Sequence, residues 1–571
     1  MKLISIRKMR FTFNDLAVFR GVVAAFCIIG LGESIAYGQK GGEVEDRVVI
    51  IEKEAKLDLP EVNRNFQKGI VETQETKKKI QQYTFEDVRF PLAMLPAKIK
   101  VPTIPADPLT QLYGNYIKGG FGNYATTYLE GYFSNKRSDK VLYGAHIKHL
   151  SSGVGSVEYK DKRNISGTGE NKIDGFVKYF NNNLTYDGGI SYTGRRYNYY
   201  GFDKTKEIKL DTIKQFYNFI SLRGSVQNTD TAKLRYSAGF NFNNFSDKYI
   251  AKENEVIISP SAGYILDNSR SIDVSALLSL SKRTDSSSQN RTFFQIKPAF
   301  ILKKNLLTLR LGINLAYAND TIAAYDKFHV YPAVQVDYLV IPKTLTVFGG
   351  LTGEMQKNTL NSFVRENPFL GANPMLFHTN KSIEFYAGAR GNLAERLNYL
   401  TKASIANYKN LYFFNNSRMD TSKFEILYSK ESSTITSFLL DVSYEMNERL
   451  RLNGNINFYG YSIGNDSLEA WHRPNVSATI GGVYNLYEKI YISGNIYYIS
   501  GLRGKNYITE KSKEGTTLPA IIDVNVKLEY RVSPRFSAFL EGNNLLGQKY
   551  QRFLYYQTQG LNVLAGVNYS F

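Results

Sequence analysis

The chain has 571 residues and a formal charge of +19, with 42 tyrosines and 35 phenylalanines against one tryptophan, 15 prolines and one cysteine. A mean hydropathy of −0.31 and the lack of any apolar run of spanning length after residue 38 exclude membrane helices from the bulk of the chain. A single cysteine excludes internal disulfides and cysteine metal sites, and no basic cluster with interleaved aromatics marks a nucleic-acid surface.

The amino-terminal segment reads as a secretory leader. Basic residues (Lys2, Arg7, Lys8, Arg10) precede an apolar run from Ala17 to Leu31, and Ala36-Tyr37-Gly38 supplies the small residues of a cleavage site between Gly38 and Gln39. Cys27 lies inside that run behind Phe26, which disfavours a lipoprotein signal, so the mature chain is expected to hold no cysteine. Residues 39–109 contain six of the prolines (Pro60, Pro91, Pro96, Pro102, Pro105 and Pro108) and a charged stretch at 72–79. They read as an extended periplasmic arm and not as a packed domain.

From residue 110 onward the pattern is strand, short turn, strand, long loop. Leu184, Tyr186, Ile190 and Tyr192 oppose Thr185, Asp187, Ser191 and Thr193. Ile522, Val524, Val526, Leu528 and Tyr530 oppose Asp523, Asn525, Lys527, Glu529 and Arg531. A period of two with charges at successive polar positions suits a wall between lipid and a wet lumen. Tight turns are expected at 181–183, 266–268, 303–305, 341–343, 394–395, 445–448, 487–489 and 532–535. Longer loops alternate with them at 153–170, 356–381, 463–473 and 501–518. With 423–446 taken as one long strand carrying an irregularity at 431–433, the count is 22 strands, an even number as a closed single-chain barrel requires. The fold class is therefore all-β, a transmembrane antiparallel barrel of about 22 strands without a globular plug.

The last strand alternates to the final residue. Leu561, Val563, Ala565, Val567, Tyr569 and Phe571 fall on one side, and Asn562, Gly566, Asn568 and Ser570 on the other, with Leu564 the exception. Val567, Tyr569 and Phe571 are the candidate carboxyl-terminal assembly signal, read by the barrel-assembly machinery before the strand pairs near 112–118.

Hidden chemistry would need a Ser-His pair or a metal cluster. The five histidines are His146, His149, His329, His378 and His472. His146 and His149 are three apart on a strand and so point to opposite sides. His378 and His472, the latter beside Trp471, fall in external loops, where Trp471 at a loop tip is expected to pack locally and not to contact a ligand. No catalytic residue, metal ligand or cofactor is expected, and the chain reads as a non-enzyme.

Glu541-Gly-Asn-Asn-Leu-Leu-Gly-Gln-Lys-Tyr550, then a loop, Gly560 and the terminal strand ending in Phe571, resembles the carboxyl end of TonB-dependent receptor barrels. Asn367-Pro-Phe-Leu370 followed by Ser382-Ile-Glu-Phe-Tyr-Ala-Gly388 is similar to another barrel segment of that family, without its usual acidic Pro-Glu element. Arg47, Val48, Val49, Ile50 and Ile51 resemble an energy-coupling peptide that pairs as an added strand. Such receptors carry a plug of roughly 120–150 residues, the size of a small domain, which the 39–109 arm is too short to form. The whole resembles the plugless receptor-like barrels of Bacteroidetes-type outer membranes. That resemblance implies solute transport across the bacterial outer membrane. The alternative is a non-transporting subunit or scaffold of an envelope complex, partnered by a lipoprotein or serving outer-membrane assembly. The expected partners are outer-membrane lipids and lipopolysaccharide, the assembly machinery, and a surface lipoprotein or periplasmic protein, with no nucleic acid.

Overall fold

Twenty-two antiparallel strands pair in sequence order and close on themselves. The computed structural model describes residues 114–571 apart from 137, 156, 161–163, 230–232, 320–325, 395, 448, 465–467 and 508–514. The leader with its Gly38–Gln39 site, the segment Arg47–Ile51 and the 39–109 arm lie outside the described residues. Among the described residues no plug domain is evident.

Closure is made by the first strand, Tyr116–Gly122, which pairs on one side with Thr126–Ser134 and on the other with the last, Asn562–Ser570. The seam runs from Tyr116 opposite Ser570 to Gly122 opposite Leu564. It lies a few residues further along the chain than the 112–118 segment expected from the sequence. Gly120 and Gly566 face each other across it. A Cβ on Gly566 would stand 2.2 Å from the Gly119 carbonyl oxygen and 2.4 Å from the Phe539 ring. The absent side chains leave room for Phe539, whose buried ring covers the glycine pair.

The side chains obey the strand period with the apolar face outward. Ile117, Leu129, Ile147, Ile190, Leu222, Phe385 and Leu540 are all exposed, Phe385 by 57%. Their polar alternates Thr185, Thr193, Gln295 and Glu384 are buried on the inner side. This inversion of a soluble protein is stable only when the apolar band faces lipid. Inside, charges pair within a strand, between neighbours and across an intervening strand. Arg390 meets Asp337 at 2.9 Å, and Lys381 and Lys402 share Glu384 at 2.8 and 2.7 Å.

The two ends differ. The expected tight turns occur at one end, where short connections also join Thr126–Ser134 to Val141–Ser152 and Lys214–Asn228 to Leu234–Asp247. The long connections at the other end are 153–167, 199–213, 357–378, 410–432, 463–475, 501–520 and 544–561. Residues 423–446 do not form one strand. Phe424–Tyr428 pairs with Tyr412–Asn416 in a hairpin of its own, and the barrel strand is Ser433–Glu445. Phe424 is buried in an apolar cluster of loop residues, which pulls this half of the segment out of the wall. The strand total is unchanged, because the expected irregularity is a real chain break in the sheet.

Candidate functional site

The long loops converge into a lid. Its centre is helix α1, Leu360–Glu366, in the 357–378 loop. Thr359 and Ser362 start the helix with a reciprocal cap: the Ser362 N–H donates to Thr359 Oγ1 at 3.1 Å and the Thr359 N–H to Ser362 Oγ at 2.9 Å. Leu360, Phe363 and Val364 form its buried face. They pack with Phe414 and Phe424 of the 410–432 hairpin, with Phe553 and Tyr556 of the 544–561 loop, and with Tyr217, Phe219 and Phe245 of the wall. Phe369 stacks on Tyr556 with ring centroids 3.5 Å apart. One aromatic core thus ties three loops to the barrel rim.

Polar contacts fasten the same lid to the wall and to the neighbouring loops at its rim. Glu253, 2% exposed, accepts the Leu360 and Asn361 N–H groups at 2.9 and 3.1 Å. Tyr217 Oη donates to the Pro368 carbonyl at 2.8 Å and Tyr199 Oη to that of Leu370 at 2.9 Å. Arg283 donates to the Pro374 carbonyl at 2.6 Å and pairs with Asp285 at 3.0 Å, while Asp285 accepts the Asn373 N–H at 2.9 Å. Arg291 donates to the Asn358 carbonyl at 2.8 Å, and Lys357 pairs with Glu255.

The loop histidines belong to this fabric. His378 Nδ1 accepts the Asn358 N–H at 3.0 Å. His472 Nδ1 donates to the Phe414 carbonyl at 2.8 Å, and its Nε2 accepts the Leu554 N–H at 3.1 Å, so the neutral ring bridges three loops. Burial holds its pKa down to about 4. Trp471 and His472 lie in a loop as expected. They are 4% and 2% exposed and not at a tip, because Trp471 packs with Leu411 and Phe413. His146 lies on the lumen face between Glu130 at 2.9 Å and Asp174 at 3.4 Å. His149 lies on the other face, 2.6 Å from Asn171 Oδ1. Among the described residues no group of three or more His, Cys, Asp or Glu side chains is placed to hold a metal.

Below the lid the inner surface is polar and charged. A cavity of about 550 Å³ is lined by Tyr128, Lys148, Tyr200, Asp523, Glu541, Asn544 and Gln559. Beside it Arg195 pairs with Glu170 at 2.8 Å and Lys148 approaches the same carboxylate at 3.6 Å. The underside of α1 adds Arg365 and Glu366, and Glu366 pairs with Arg473 of the 463–475 loop at 3.4 Å. The arrangement can hold water and charged solutes and can close one end of the lumen.

Of the site residues expected from the sequence, Val567, Tyr569 and Phe571 lie on the outward, exposed face of the last strand. The Phe571 N–H donates to the Asn115 carbonyl at 2.9 Å, and Lys136 Nζ reaches the Phe571 oxygen at 2.8 Å. Leu564, the exception in the alternation, is buried on the inner side and lines the cavity. The centre of the lid lies in the 356–381 segment, which the sequence already marks as a long loop. Its one local signal is the cap Thr359-Leu-Asn-Ser362, which opens a helix inside a segment otherwise rich in loop residues.

No protein-family model matches the chain, and no curated protein resembles it in sequence. Solved structures resemble it in fold. The ferric-catecholate import receptor Fiu of E. coli K12 matches with a TM-score of 0.60 at 10% identity, over 80% of this chain and 82% of its own. The FrpB iron transporter of Neisseria meningitidis matches at 0.61 and 10% identity, over 81% and 82%. The siderophore receptor PirA of Acinetobacter baumannii matches at 0.60 and 9% identity, over 80% of each chain. The chain therefore has the fold of outer-membrane receptor barrels, and its outward apolar band places it in the bacterial outer membrane.

Proposed function

We propose that this chain is a gated, receptor-like solute pathway across the outer membrane, in which the loop lid is the closure. The observation that carries the reading is the junction of an ion-lined lumen with a lid held by one aromatic core and a set of reversible polar contacts. A water-filled interior suits the charged inner face, and noncovalent fastenings suit a part that opens. The receptor-like fold, shared with import receptors and transporters, supports the same reading. Within it we take the chain to be of the plugless, Bacteroidetes-type kind, with residues 39–109 acting from the periplasmic side.

The test is permeability of cells carrying the protein. Replacing residues 358–377 by a short Gly-Ser linker should speed entry of a chromogenic β-lactam at equal barrel abundance. Unchanged entry with a fully folded barrel would favour the scaffold reading and reject this one.

A further inference from the structure

The ceiling of the lumen holds more cationic groups than its carboxylates balance. Arg195 projects from the inner face of the strand Leu184–Asn198, and its guanidinium lies 5.9 Å from the centroid of the Phe219 ring. Arg365, on the underside of α1, lies 4.3 Å from that same ring. Two guanidinium groups therefore share one aromatic. A second pair follows along the lid. Arg473 lies 4.5 Å over the Tyr412 ring, and Arg552 donates to the carbonyl of His472, the residue before it, at 2.7 Å. Arg365 and Glu366 are consecutive on α1, so the helix joins the two pairs into one surface.

The carboxylates at this surface are already engaged. Glu170 is shared by Arg195 and Lys148, and Glu366 accepts both Arg473 and the Tyr412 hydroxyl. The described hydrogen bonds of Arg365 and Arg552 run to Asn361 Oδ1 at 2.7 Å and to the His472 carbonyl. Both acceptors are neutral. Burial and then the neighbouring Arg473 press against the charge on Arg552, and burial and then Arg195 against that on Arg365. Lid packing alone gives no reason to bring like charges together. An arriving anion does, because guanidinium remains charged and its planar fork matches carboxylate and phosphate oxygens. The rings of Phe219 and Tyr412 lie within cation–π distance of Arg365 and Arg473 and help to hold them in place.

We propose that the inner face of the lid is an oxyanion site, built from Arg195, Arg365, Arg473 and Arg552, for a solute carrying several carboxylate or phosphate groups. The proposal names the solute class of the pathway inferred above and rests on that reading. It also gives the chain's positive charge a local use.

Citrate and inorganic tripolyphosphate, with sucrose as the neutral control, serve as probes in calorimetric titration of the purified full chain at low salt. Either anion should bind saturably, sucrose should not, and Arg365→Gln/Arg473→Gln should weaken binding by about tenfold or more. Arg365→Gln alone, whose described hydrogen bond lies within the helix, should weaken it several-fold and serves where the double variant does not fold. Comparing the two anions tells whether carboxylate or phosphate is the better fit. No binding of either anion, equal binding by the folded variants, or equal weakening by Lys489→Gln at the turn end would overturn the site. Because the readout is equilibrium binding, the two readings fail separately. A barrel that binds anions but passes no solute sinks the transport reading, and one that passes solutes but binds no anion sinks this one.

Discussion

The carboxylate of Glu253, on the barrel wall, accepts the backbone N–H of Leu360 at 2.9 Å and so seats the first turn of the lid helix, 107 residues further along the chain. It accepts the next N–H, that of Asn361, at 3.1 Å. A buried anion thus satisfies two of the donors that a helix start leaves unpaired. Wall and lid are joined at this point by charge and not by apolar area alone.

Replacing Glu253 by Gln keeps the shape and removes the charge. Hydrogen bonds to a charged group contribute about 1.5–3 kcal/mol, so the lid should open more readily by about that amount. Hydrogen exchange of peptides covering 358–366 should accelerate, while the strand Leu307–Ala318 should exchange as before. Unchanged protection at 358–366 would mean that the aromatic core alone holds the lid.

His472 gives the lid a pH dependence with a definite sign. Its folded pKa, about 4, lies below the ordinary 6.5, so the unfolded or opened segment binds the proton more readily. Its stabilising contribution is complete above pH 6.5 and is lost as pH falls toward 4. Exchange protection of 411–416 and 551–556 should decline over that window, and His472→Gln should flatten the decline. A profile that is flat in the native protein over the same range speaks against the bridge.

The orientation follows from the loop asymmetry. Met419, 99% exposed at the hairpin tip of the lid, should carry an inserted epitope that antibodies reach on intact cells. An epitope at Asn447, in a tight turn, should be reached only after the outer membrane is permeabilised. The opposite labelling pattern would invert the barrel.

Assembly is expected to depend on the last strand. Tyr569 pairs with Ile117, and Phe571 meets Phe133 at 6.2 Å, so both stand at the closing seam. Deleting Phe571 or replacing Tyr569 by Asp should lower the amount of heat-resistant barrel in the outer membrane. Normal amounts of folded protein after both changes would remove the assembly signal from this strand.

The wall was legible because its rule is local. Alternation at 184–193 and 522–531 reports which side of a strand meets lipid, and it holds wherever the strand pairs with its neighbours. The same rule misled at 423–446. Phe424-Glu-Ile-Leu-Tyr428 alternates equally well in a lid hairpin, since periodicity reports faces and not partners. The packing of the lid was opaque for a related reason. Its core joins Tyr217, Phe363, Phe424 and Phe553, side chains from four distant segments that read separately as two wall strands and two loops. Trp471 and His472 read as a loop tip with local packing only, because burial in a loop depends on what other loops bring to it. Glu253 carries no local mark at all, as its partner is a helix start more than a hundred residues away.

The claim that the lid closes a solute pathway is tested most directly by single-channel recording in planar bilayers. The purified full chain is compared with the form in which residues 358–377 are replaced by a Gly-Ser linker. The full chain should stay closed or flicker briefly, and the shortened form should open to large, steady conductance steps with the same heat-resistant barrel. Steady large conductance from the full chain, or equal silence from both, would contradict it.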